Sequence, residues 1–253
     1  MIKGLDVFKN HFVEFQEQYV LIGGAACDIV FQETDQAFRA TKDLDMVLIV
    51  EALTLEFGRK FWDFIKEGGY ENRIKNNDVS QFYRFDKPKA SGYPYMIELF
   101  AKSESVFDEE MYGCRPLHLS DEVSSLSAIL LNSNYYNLLL EGKTILSDFS
   151  VLTNTYLILF KAKAWLDLTA RKAGGQHIDG KDIKKHKNDI ARLATLLTED
   201  ETCSVPVDIF ADIIEFIREF EENPPDIKAL GFSGITVKDI TDVLRKTYVK
   251  RIG

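Results

Sequence analysis

Residues 21–50, LIGGAACDIVFQETDQAFRATKDLDMVLIV, carry the pattern from which the rest of the chain is read. The apolar run over residues 19–22 predicts a buried strand, and Gly23-Gly24 ends it. A short helix and a polar loop follow, and a second strand then sets Asp43 and Asp45 among apolar neighbours. Side chains alternate along an extended segment, so Asp43 and Asp45 share one face and Leu44 takes the other. Two carboxylates side by side raise each other's pKa and resist burial unless a cation lies between them. Ligands made only of oxygen suit Mg2+ or Mn2+ better than zinc, and such ions usually also hold substrate phosphates. The paired glycines supply the complement, since backbone without Cβ can approach a phosphate and the helix start after it offers N–H donors.

Outward from this stretch, Leu5, Phe8, Phe12 and Phe15 recur at helical spacing and predict a helix over residues 5–18 that packs on the sheet. Leu55, Phe57, Phe61, Trp62, Phe64 and Ile65 predict another over 54–67, stopped by Gly68-Gly69. Strands are predicted over 81–85 and 95–100, separated by a turn rich in Pro and Gly. The second of these carries Glu98 among apolar residues, again an acid that needs an explanation. Residues 128–131 read as a short strand, 134–140 as a short helix and 144–152 as one more extended piece. From residue 153 the pattern turns helical: one helix from Thr153 or Asn154 to Gly174-Gly175, two more over 180–197 and 207–221, a break at Pro224-Pro225, and a last helix over 236–248. The last begins with Thr236 and Asp239 at capping-box spacing. A helix crossing between strands fits an α/β sheet. The chain divides into an α/β domain over 1–120 and a mainly helical one over 121–253.

The 253 residues are 45% hydrophobic and 28% charged, an ordinary balance for a globular protein. No apolar run reaches the ~20 residues that span a bilayer, and residues 1–12 lack a signal peptide's basic-then-apolar order, so a cytoplasmic protein without a membrane partner is expected. Three scattered cysteines, Cys27, Cys114 and Cys203, argue against a disulfide framework and a Cys-based zinc site, and predict buried thiols. The four histidines lack metal-ligand spacing. A net charge of −9 is not the footprint of a nonspecific nucleic-acid binder, although residues 181–187, KDIKKHK, form a local basic string.

Gly23-Gly24, a helix, then Asp43-Leu44-Asp45 on the next strand resembles the signature of the nucleotidyltransferase superfamily, the polymerase-beta-like fold. The fuller string Gly23-Gly24-Ala25-Ala26 with Arg39-Ala40-Thr41-Lys42-Asp43-Leu44-Asp45 is similar to the AbiEii/AbiGii toxin-type nucleotidyltransferases, in which Arg-x-(Ser/Thr)-x-Asp-x-Asp recurs. The eighteen residues between Gly24 and Asp43 exceed the superfamily's usual spacing and favour the toxin-like branch. The resemblance implies a mixed sheet flanked by helices plus a mainly helical C-terminal domain. It implies Asp43, Asp45 and Glu98 as ligands of two Mg2+ or Mn2+ ions, and Gly23, Gly24, Arg39 and Thr41 as nucleotide-binding residues. It further implies a lysine, Lys161 with Lys163 as its rival, that reaches the triphosphate. An aspartate, Asp182 or Asp189, would orient that lysine's ligand or the active-site base.

Each of these residues has a plainer role open to it. An Asp-x-Asp can lie at a strand edge in water, a Gly-Gly can make a tight turn, and Arg39 can bridge to a carboxylate. The basic string can be a solvated helix face with i to i+4 pairs, worth only tenths of a kcal/mol. Trp62, Trp165 and the phenylalanines read as core. The combined order of motifs outweighs these alternatives and implies transfer of a nucleoside monophosphate from an NTP such as ATP to an acceptor hydroxyl. The acceptor would be an RNA 3′ end such as tRNA, or a protein, and a cognate antitoxin would be a partner. The alternatives are a small-molecule adenylyltransferase of the aminoglycoside or lincosamide kind, and a catalytically silent nucleotide-binding partner protein.

Overall fold

A computed structural model describes residues 2–72, 82–101, 129–130 and 132–252. The chain forms two units, Met1–Leu119 with Lys143–Thr153, and Ser120–Gly142 with Asn154–Gly253. The expectation for Cys114 lies outside the described residues, whereas Cys27 and Cys203 are buried and in no disulfide. No helix among the described residues is long and apolar enough to cross a membrane.

The first unit is a mixed α/β fold. Its strands are β1 (Tyr19–Ile22), β2 (Asp43–Leu48), β3 (Glu71–Asn72), β4 (Phe82–Asp86), β5 (Met96–Ala101), β6 (Lys143–Leu146) and β7 (Phe149–Leu152). They form one sheet in the order β3-β4-β5-β2-β1-β7-β6. All four residues of β1 are buried, as befits an interior strand covered on both faces. β1 runs antiparallel to β2 and parallel to β7, and β2 runs parallel to β5.

Helix α1 (Leu5–Phe12) is shorter than its predicted span, because the chain tightens into a 3-10 turn at Val13–Phe15. Helix α2 (Gly23–Gln32) starts directly at the end of β1. Helix α3 (Leu55–Gly68) is capped by the Thr54 side chain, which accepts from the Phe57 N–H, and is stopped by left-handed Gly69. An aromatic core joins α1 and α3 to one sheet face. Phe8 meets Tyr19 edge-on at 5.5 Å, Phe12 lies 5.3 Å from Phe64, and Phe61 lies 5.6 Å from Phe85. Phe85, Ile97 and Leu44 are register partners and share that face. The pleat therefore puts Asp43, Asp45, Glu98 and Arg84 together on the reverse.

Two expectations are corrected between residues 128 and 152. Ile129 and Leu130 are helical rather than extended, while Ala128 and Leu131 lie outside the described residues. Residues 144–152 are a hairpin, not one extended piece: Ser147 (φ 49°) and Asp148 (φ 68°) both take left-handed backbone, as the tight turn between β6 and β7 demands.

The second unit is mainly helical: α4 (Ser133–Glu141), α5 (Asn154–Ala173), α6 (Gly180–Ala194), α7 (Val207–Glu222) and α8 (Val237–Thr247). The capping box of Thr236 and Asp239 is formed. α5 packs on α6 and α7, with Trp165 edge-on to Phe216 at 5.5 Å. β8 (Cys203–Val205) and β9 (Tyr248–Lys250) pair in parallel, and the Tyr248 hydroxyl donates to the Thr155 carbonyl at 2.5 Å.

Candidate active site

Four strands of the first unit align one residue each into a row across the sheet. Ile22 of β1 is the partner of Asp45 on β2, Asp45 of Glu98 on β5, and Glu98 of Arg84 on β4. Neighbouring strands lie about 4.8 Å apart, so Asp45 and Glu98 are direct cross-strand neighbours. Asp43 lies one pleat further along the same face, paired with Met96. Both aspartates are half-buried, with fully buried Leu44 between them. The sheet register thus brings Asp43, Asp45 and Glu98 onto one face.

The paired glycines stand at the end of this row. Gly23 has φ +66°, and a Cβ there would lie 1.7 Å from Oδ2 of Asp45. A Cβ on Gly24 would lie 2.5 Å from Oγ1 of Thr41. The missing side chains make room for the Asp45 carboxylate and the Thr41 hydroxyl, and hold both against the first turn of α2. That turn has Ile22 as its N-cap and no side-chain cap. Arg39 is half-buried, with its guanidinium 5.2 Å from the Phe38 ring centroid.

Glu98 is 6% exposed. Nε of Arg84 donates to its Oε1 at 2.9 Å, and Nη2 donates to the same oxygen. Burial first, and then the Asp45 carboxylate, push the Glu98 carboxyl well above the usual carboxylate range, against the pull of Arg84. Arg84 was not among the residues singled out from sequence. Its signal is an arginine between the aromatic residues Tyr83 and Phe85, and its partner emerges only from the register.

Among the described residues no group of three or more His, Cys, Asp and Glu side chains is disposed to hold a metal ion. The donor chemistry nevertheless suits Mg2+ or Mn2+: three carboxylates on one face, two of them in adjacent strands at one register position. Like charges so placed are relieved by a proton or by a cation.

The other singled-out residues lie in the second unit. Nζ of Lys161 on α5 donates to Oδ2 of Asp189 on α6 at 2.9 Å, with the two residues 4% and 0% exposed. Asp182 is half-exposed in the first turn of α6. Lys163 donates to Asp212 of α7 at 2.8 Å, and Asp212 also accepts from the Tyr135 hydroxyl at 3.0 Å. In the basic string, Lys181 and Lys184 are exposed, while Lys187 donates to the Asn223 carbonyl at 2.6 Å.

The sequence matches no protein-family model and no curated protein. The structure is similar to the crystal structure of an antigenic nucleotidyltransferase-like protein from Paracoccidioides brasiliensis, with a TM-score of 0.45 and 13% identity, covering 98% of this chain and 95% of that one.

Proposed function

We propose that the chain is a nucleotidyltransferase that moves a nucleoside monophosphate from an NTP to an acceptor hydroxyl. The observation that carries this reading is the register row: Asp45 and Glu98 opposite each other, Asp43 one pleat away, and Gly23 against Asp45. Asp43, Asp45 and Glu98 would hold Mg2+ or Mn2+, which when bound neutralises phosphate charge and favours the ionised acceptor hydroxyl. The backbone N–H groups at the start of α2, with Arg39 and Thr41, would donate to a phosphate. The acceptor oxygen forms its bond to the α-phosphorus as the bond to pyrophosphate breaks, and the hydroxyl proton leaves to solvent.

The resemblance to toxin-type enzymes extends the proposal to an RNA 3′ end such as tRNA, or a protein side chain, as acceptor, and to restraint by an antitoxin. Exposed Lys181 and Lys184 would meet RNA phosphates, in which case binding falls with added salt. The net charge of −9 favours a second reading, in which the acceptor is a cationic small molecule of the aminoglycoside kind.

The test is incubation with each α-labelled NTP and Mg2+ in the presence of tRNA, total cell protein or aminoglycosides in turn. Label should move to one acceptor class and vanish in Asp43→Asn and Asp45→Asn chains. If no acceptor is labelled while Mg-NTP still binds, a silent binding protein is the better description. Without Mg-NTP binding the proposal fails entirely.

A further inference from the structure

Arg84 meets Glu98 in an unusual way. A guanidinium commonly spans both oxygens of a carboxylate in a two-pronged fork. Here Nε and Nη2 both reach Oε1, so Oε2 is not taken up by the fork. The contact is made directly across two antiparallel strands at matched register, with Glu98 almost fully enclosed and Arg84 partly exposed. Glu98 is thereby held from the β4 side, while Asp45 faces it from the β2 side. Carboxylates that bind metals are generally fixed by a hydrogen bond on the oxygen turned away from the ion, and loss of such a bond typically weakens metal binding about 10–100-fold.

We infer that Arg84 is a positioning residue: it clamps one oxygen of Glu98 and thereby presents the other to a divalent cation shared with Asp45. The inference rests on the reading of this face as the metal site of a transferase. Arg84 acts through Glu98 and touches neither ion nor nucleotide in this role. Its effect on cation binding should therefore disappear when Glu98 is no longer a carboxylate.

The test is a double-mutant cycle on the full chain, with Mn2+ alone as probe and binding followed by loss of the free-ion electron paramagnetic resonance signal. Arg84→Gln should weaken Mn2+ binding about 10-fold or more. Arg84→Lys, which keeps the charge without the paired donors, should recover only part of the loss. In a Glu98→Gln background, adding Arg84→Gln should change the affinity by less than about twofold, because the two substitutions remove one interaction. If Arg84→Gln alone does not fold, the lysine variant and the double variant carry the comparison.

Unchanged or tighter Mn2+ binding in Arg84→Gln overturns the inference and leaves the transferase reading standing. So does an additive loss in the double variant, which would assign Arg84 a separate role. If the unaltered chain does not bind Mn2+, or binds it equally well as Asp45→Asn, the transferase reading and the inference fall together.

Discussion

At Gly23 two constraints coincide. The backbone is left-handed, which costs a residue with a side chain roughly 1–3 kcal/mol, and a Cβ would stand 1.7 Å from the Asp45 carboxylate. Gly23→Ala is therefore expected to displace Asp45 and abolish labelling of any acceptor, with a lowered urea midpoint. A stable variant with full activity would contradict the close approach. Glu98 carries the opposite expectation. Its folded-state pKa is raised, so the stability it contributes is fully present below the unfolded value of about 4.3 and is lost as pH rises through the folded value. Glu98→Gln keeps an acceptor for Arg84 and offers N–H donors to Asp45. In chelator at neutral pH its melting temperature should exceed that of the unaltered chain, the gain shrinking as pH falls toward 4. Each kcal/mol corresponds to about 2–4 °C for a chain of this size. Mg2+ should stabilise the unaltered chain but not this variant. A variant that melts lower at every pH would show that the buried carboxylate is not a source of strain.

Among elements, those with strong local chemistry were legible and those defined by distant partners were not. β1 was read at its observed bounds because an interior strand is a continuous apolar run ended by glycine. α3 announced its end through Gly68-Gly69. Alternation put Asp43 and Asp45 on one face without any knowledge of the neighbouring strands, whereas the Arg84 contact needed the register of β4 on β5. The β6–β7 turn escaped because Ser147 and Asp148 replace the Asn-Gly or Asp-Gly that marks such turns. The contact between Lys161 and Asp189 likewise depends on the packing of α5 on α6, which no local pattern encodes. That pair joins α5 to α6 with both side chains buried. Lys161→Met removes one charged donor from enclosed Asp189 and should lower the stability to urea, by up to about 3–5 kcal/mol. Lys161→Met with Asp189→Leu should recover much of it. A single variant within about 0.5 kcal/mol of the unaltered chain would show the pair to be dispensable.

On the scale of the molecule, the chain leaves the first unit, builds α4 in the second, returns for the β6–β7 hairpin and leaves again. The sheet therefore cannot be completed by residues before 120. A fragment ending there would expose the edge of β1, which in the full chain pairs with β7 at Leu21 and Val151. Bare strand edges recruit other strands, so this fragment should elute as an aggregate on gel filtration. A soluble monomer would count against the hairpin's part in closing the sheet. The order of transfer along the polypeptide gives the same pairing a second meaning. While the ribosome is still adding residues up to 151, the half-built sheet waits with its apolar inner strand uncovered. Crowding by sister nascent chains on one messenger, or the attention of a chaperone, would be felt most during that interval.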